Sequence, residues 1–175
     1  MVELLTERLK FIPFEGDMID DLLRLHGDAD VMQHMRGGVE TPGQTRQTLH
    51  EYLQSWTVHG ISMWALYDVA SGDFVGECGF RYHEVVGGMA LRFGLMKSFW
   101  GRGLAQHSVG RAIDYAFAET AMAHVHSIAM DVNTRSCQVM EQFGFELMAT
   151  GVRDTPGLRL YRLAKSDYLQ SCQAS

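Results

Sequence analysis

Proline is scarce here, three in 175 residues, and no Pro/Gly/Ser-rich stretch reads as a linker between domains. Cysteine is equally scarce. Cys78, Cys137 and Cys172 are odd in number and lack CxxC spacing, which argues against a disulfide framework or a cysteine zinc site and suits a reducing compartment. No run of about 18 apolar residues exists, so no membrane-spanning helix is expected. The opening MVELLTERLK has no apolar signal-type core, so a cytoplasmic location is expected. Basic residues are outnumbered, 15 against 21 acidic, for a net charge of −6. That argues against a nucleic-acid partner, whose recognition needs clustered Lys and Arg. What remains is 46% hydrophobic and 21% charged, the makeup of one ordinary globular domain over residues 1–175 with a real core.

Local patterns place the elements. RLKFIPF, Arg8 to Phe14, alternates as an opening strand, and GDMIDDLLRLHGD spaces its apolar residues as a short helix. In TPGQTRQTLHEYLQSW, Thr41 is the expected N-cap, Pro42 sits at N1 and Gln44 completes a capping box. SMWALYD, FVGECGFRYH and MALRFGLM read as strands punctuated by glycine turns. From Leu104 the apolar residues Val109, Ala112, Ile113, Ala116 and Phe117 form a helical stripe. HVHSIAMDV is then a strand, and TRSCQVMEQF a helix with Asn133 as N-cap and Gly144 as C′. Two strands, FELMATGV and LRLYRLA, are expected to close the chain. The central strand–helix–strand unit implies one parallel pair in an otherwise antiparallel sheet, an α+β (mixed α/β) class.

The junction LRFGLMKSFWGRGLAQ joins a strand to a helix through two glycines. Such a turn aims unpaired backbone N–H groups outward at the positive end of a helix, a place suited to phosphate. No GxxxxGK[ST] string is present, and a GxGxxG reading fails because Gln106 stands at the third glycine. The alternative is that Gly101 and Gly103 only form a tight strand-to-helix turn.

WGRGLA, Trp100 to Ala105, resembles the pyrophosphate loop of the GNAT N-acetyltransferases, Q/R-x-x-G-x-G/A, with tryptophan at its first position as in the RimJ/RimL-like branch. TERL near the start, MWALYD, FVGECGF and NTRSCQVMEQFGF, with Asn133, Ser136, Gly144 and Phe145, resemble that branch in order and spacing from about Thr6 to Ala164. The resemblance implies a GNAT-like three-layer fold, its central mixed V-shaped sheet flanked by helices. It implies acetyl-CoA as cosubstrate and a primary amine, a peptide N-terminus or a small molecule, as acceptor; a homodimer is compatible with it. The backbone of Phe93, Gly94 and Leu95 would pair with pantetheine, with Met96 next to them in the cofactor site. Trp100, Gly101, Arg102, Gly103, Leu104, Ala105 and Gln106 would hold the pyrophosphate, and Asn133 and Ser136 would complete the cofactor site.

For catalysis, the Leu95 N–H is the expected oxyanion donor. The tyrosine acid that many relatives carry is replaced by Met140, which leaves Ser136 or a water to protonate the thiolate. A glutamate that many branch members carry early in the fourth strand is Ala90 here, which leaves Glu77 as candidate base. Ser136 can equally be structural, and Glu77 a solvent-facing strand residue. His124 and His126 share a strand face without a third ligand, so no metal is expected. Two other readings stay open: a catalytically quiet acyl-CoA-binding module and a nucleotide-phosphate binder. The acidic early segment, DMIDD with Asp28, Asp30 and Glu40, would favour a cationic acceptor.

Overall fold

The computed structural model describes every residue except His34, Arg36, Ala174 and Ser175. Its strands are β1 (Leu4–Leu5), β2 (Leu9–Pro13), β3 (Met63–Asp68), β4 (Phe74–His83), β5 (Gly88–Leu95), β6 (His124–Met130), β7 (Glu146–Thr150) and β8 (Leu158–Ala164). Its helices are α1 (Ile19–His26), α2 (Ala29–Met32), α3 (Pro42–His59), α4 (Leu104–Glu119), α5 (Thr134–Gln142) and α6 (Lys165–Gln173). The class is α+β, a three-layer GNAT-like architecture with a central mixed sheet flanked by helices. No helix among the described residues is long and apolar enough to cross a membrane.

The chain divides into two compact units, the first made of residues 1–81 and 92–109. Here β1, β2, β3 and β4 lie side by side, all antiparallel, with Phe11 opposite Leu66 and Ala65 opposite Glu77. Helices α1 and α3 pack on this sheet through Phe14, Leu22, Leu25, Leu49, Tyr52 and Met63, all buried. Helix α3 starts as expected: the Thr41 hydroxyl accepts from the Gln44 N–H, and the Gln44 side chain accepts from the Thr41 N–H at 2.8 Å. It ends at Gly60 in the left-handed region, φ 69°. Gly76 in β4 permits a close approach. A Cβ there would stand 2.2 Å from the carbonyl oxygen of Gly94, so only glycine brings β4 against the end of β5.

The second unit comprises residues 82–91 and 110–175, with strands in the order β5, β6, β8, β7. The start of β5 pairs in parallel with β6, Ala90 opposite His126 and Leu91 opposite Ser127. This is the parallel pair expected from the strand–helix–strand unit, because the crossover runs through α4. The β6–β8 and β8–β7 pairs are antiparallel.

Three elements escape the sequence patterns. Strand β1 and helix α2 have only two and four residues, too few for periodicity. The chain also does not close on a strand, since α6 follows β8. Tyr168 is its only buried residue, and a helix that buries one side chain has no apolar stripe to read.

Candidate active site

Strand β5 leads into the glycine turn within the first unit. A short 3₁₀ turn, Lys97–Phe99, follows the strand, and α4 begins at Leu104. Gly101 and Gly103 have φ of 74° and 72°, left-handed values that strain any other residue. A Cβ on Gly101 would meet nothing within 4 Å, and one on Gly103 only ordinary contacts with Gln106 and Arg8. The turn therefore needs glycine for its backbone, and it also leaves open space at Gly101, just ahead of the first turn of α4. Backbone shape and phosphate access make the same demand. The space, the N–H groups and the positive helix end fit a pyrophosphate.

Trp100 anchors this turn. Its indole N–H donates to the carbonyl of Leu95 at 2.7 Å, and its ring packs on the core of α1 and α3. The tryptophan thus links the end of β5 to the loop, and Leu95 itself is buried. The Met96 N–H donates to the carbonyl of Val75 at 2.8 Å, which fixes the strand end from β4. Phe93, Gly94, Leu95, Met96 and the run from Trp100 to Gln106 therefore form one continuous stretch of the first unit. The Arg102 guanidinium lies over the Phe99 ring, 5.0 Å from its centre.

Glu77 is not solvent-facing. Every residue of β4 from Phe74 to Phe80 is buried, and Glu77 is 1% exposed. Its Oε1 accepts from the Arg92 Nε–H at 3.0 Å and faces His26 Nε2 at 3.2 Å, while Oε2 accepts from the Tyr52 hydroxyl at 3.0 Å. The opposite nitrogen of His26, Nδ1, lies 3.0 Å from Glu40 Oε2, which also accepts from the Thr48 hydroxyl. Two cations and two carboxylates from α1, the segment before α3, β4 and β5 thus form a neutral network, in which Arg92 Nη2 is buried without a hydrogen-bond partner among the described residues.

The network sets its own protonation. Burial raises the Glu77 carboxyl, but the charges and hydrogen bonds of His26 and Arg92 outweigh it and hold it down at about 2. Burial also opposes a charge on His26. The Glu77 charge and the hydrogen bonds to Glu40 and Glu77 outweigh that and push it up to about 9. The Tyr52 hydroxyl is raised well above its ordinary value by burial and by the Glu77 charge. A carboxylate held this low accepts a proton only in strong acid while the network stays closed.

The sequence signals for this network were small. His26 sits four residues after Leu22 on the apolar face of α1, and Arg92 interrupts an apolar strand. Neither residue points to the other across 65 intervening positions. The early acidic residues are also more engaged than a free patch would be. Asp21 pairs with Arg24 and accepts from Tyr67, Asp30 pairs with Lys97 at 2.6 Å, and Asp28 caps α2.

Asn133 and Ser136 belong to the second unit. Asn133 Oδ1 accepts from the Ser136 N–H at 3.3 Å, so the asparagine caps α5 and Ser136 stands half-buried in its first turn. At the other end, the Phe145 N–H bonds the Met140 carbonyl and the Gly144 N–H bonds that of Glu141, with Gly144 at φ 77°. This is a Schellman closure. Much of the NxxS…GF pattern is therefore the two ends of one helix. Met140 is fully buried and has no proton to give. His124 and His126 have ring centres 6.4 Å apart, and no group of three metal-ligating side chains occurs among the described residues.

A family model described as an acetyltransferase (GNAT) domain matches residues 8–146. This chain belongs to the GNAT acetyltransferase family. Among curated proteins, the acetyltransferase is 26% identical over 151 residues to the uncharacterized protein YkkB of Bacillus subtilis (strain 168), covering 85% of this chain and 87% of that protein. Among solved structures, an acetyltransferase from Agrobacterium tumefaciens str. C58 superposes with TM-score 0.84 at 21% identity, over 94% of this chain and 95% of that one. The spermidine N-acetyltransferase of Vibrio cholerae, solved in complex with CoA and spermine, gives TM-score 0.77 at 16% identity, over 94% and 99%. At these identities the two structures speak for the acetyltransferase fold.

Proposed function

We propose that this GNAT acetyltransferase moves the acetyl group of acetyl-CoA to a primary amine by direct attack in a ternary complex, as a RimJ/RimL-like enzyme acting as one catalytic domain. The observation that carries the reading is the β5–loop–α4 stretch: a strand end pinned by Trp100, two left-handed glycines, and open space at Gly101 just ahead of a helix N-terminus. Bound acetyl-CoA supplies an activated thioester. The loop N–H groups from Gly101 to Gln106 hold its pyrophosphate, and the backbone of Phe93, Gly94 and Leu95 aligns its pantetheine by pairing, since the Met96 N–H and carbonyl are taken by Val75 and Phe99; the Leu95 N–H stabilises the oxyanion. We also assign Asn133 and Ser136 to acetyl-CoA, with Ser136 giving a proton to the leaving thiolate.

The attacking amine must be neutral. We assign Glu77 a positioning role in place of the base expected from its sequence, because its oxygens are already engaged by His26, Arg92 and Tyr52. The amine then enters as its neutral fraction, and the rate follows the acceptor's own pKa. Holding amine and thioester together contributes much of the acceleration. The acceptor is a peptide N-terminus or a small amine, and a relative named for spermidine acetylation supports that class. Three unpaired cysteines, two of them buried, support a reducing, cytoplasmic setting.

The test is release of free thiol from acetyl-CoA across a panel of peptides and small amines. Steady turnover with an amine is expected. Binding of CoA without turnover on any amine favours the second reading, a catalytically quiet acyl-CoA binder, whose motivation is the buried Met140 and the engaged Glu77. Transfer confined to hydroxyl acceptors sinks the amine assignment.

A further inference from the structure

The TERL segment ties the start of the chain to the glycine turn, within the first unit. Thr6 closes a tight turn: its hydroxyl oxygen accepts from the Leu9 N–H at 2.9 Å, and its hydroxyl donates to the Leu9 carbonyl at 3.0 Å. It also lies 2.7 Å from Nε2 of His107, in the first turn of α4. The carbonyl of Arg8 accepts from the Val69 N–H at 3.0 Å, so the Arg8 backbone is held from the residue just after β3. Its side chain then crosses to the loop, where Nη2 donates to the carbonyl of Arg102 at 2.7 Å.

The rest of the Arg8 fork has a definite place. Nη1 lies 3.8 Å from where a Cβ of Gly103 would stand, beside the glycine that the loop keeps bare. Arg8 is exposed, and no carboxylate forms an ion pair with it among the described residues. Arg102, the cation expected at this loop, is instead stacked over Phe99. His107 adds little charge near neutral pH, because burial and then the Arg8 charge hold it below its ordinary value. A guanidinium gripped by one carbonyl keeps parallel N–H donors in fixed geometry, the arrangement that suits a phosphate.

We propose that Arg8 is a phosphate-binding residue of the cofactor site, bracing the Arg102 carbonyl and presenting its remaining N–H edge to a phosphate of CoA over Gly103. The assignment rests on the acetyl-CoA reading. It joins a residue outside the loop signature to the loop, 94 positions away in sequence.

Titration calorimetry with CoA, at low and high salt, tests it on the wild type, Arg8→Met and Arg8→Lys. Methionine keeps much of the stem and removes the charge; lysine keeps the charge without the fork. At low salt Arg8→Met should bind CoA about tenfold more weakly, the deficit should shrink as salt rises, and Arg8→Lys should recover part of it. Unchanged affinity in Arg8→Met overturns the assignment. So does a deficit that salt does not alter and lysine does not rescue, since the side chain would then only shape the loop. A wild type that fails to bind CoA sinks the acetyl-CoA reading and this assignment together, whereas undiminished binding by Arg8→Met sinks the assignment alone.

Discussion

His26 Nε2 lies 3.2 Å from Glu77 Oε1, with both side chains closed off from solvent. The pair joins the last residue of α1 to the middle of β4, so a helix beside the glycine turn's core is clamped to the sheet by charge as well as by packing. Arg92 completes the clamp from the residue just before the proposed pantetheine strand.

The clamp makes stability depend on pH at both ends. His26 titrates at about 9 when folded against about 6.5 unfolded. Its contribution is full below about 6.5 and is lost as pH rises through 9. Glu77 titrates at about 2 against about 4.3 unfolded. Its contribution is full above about 4.3 and is lost as pH falls through 2. Denaturant unfolding across pH should show stability declining between about 6.5 and 9. In His26→Gln that alkaline slope should flatten, with a loss of about 3–5 kcal/mol near neutral pH from breaking a buried pair. An unchanged slope would show that His26 does not carry the charge.

Glu77→Gln separates a positioning carboxylate from a base. Turnover should fall, because Arg92 and His26 lose their anion, while the rising limb of the pH–rate profile should stay at the acceptor amine's pKa. Loss or displacement of that limb with one fixed acceptor would restore Glu77 as the proton acceptor.

Gly103→Trp places a large side chain in the open space over the loop, at a left-handed φ of 72°. Saturating acetyl-CoA at about 100 times its Kd should stabilise the wild type by about 2.7 kcal/mol, read as a rise in Tm. The variant should fold and show no such rise. A Gly103→Trp protein that binds CoA with wild-type affinity would refute the loop assignment.

Ser136→Ala and Asn133→Ala should differ. Removing the Asn133 cap should lower stability by about 1 kcal/mol, seen as a reduced denaturation midpoint. Ser136→Ala keeps its N–H in that cap, so it should leave stability nearly unchanged and lower kcat more than it weakens CoA binding. Equal kcat in Ser136→Ala and wild type would make the serine structural.

Much of this protein was decided by local chemistry. The capping box of Thr41 and Gln44, the Asn133 cap and the Gly144 closure depend on residues within a few positions of one another. So do the left-handed glycines at 101 and 103, and all of these could be read without coordinates. The parallel β5–β6 pair followed from the length of the connection between them. Tertiary structure alone decided what Glu77 is. Its environment is built from Tyr52, His26, Arg92 and Glu40, which lie 12 to 66 residues from one another, and no local pattern encodes which of them will meet. The same holds for Arg8. TERL reads as a strand opening, and only the folding of β2 against β3 brings its guanidinium to the Arg102 carbonyl. A side chain's protonation and its role depend on desolvation and on charges within a few ångströms, and those distances exist only once distant segments have packed.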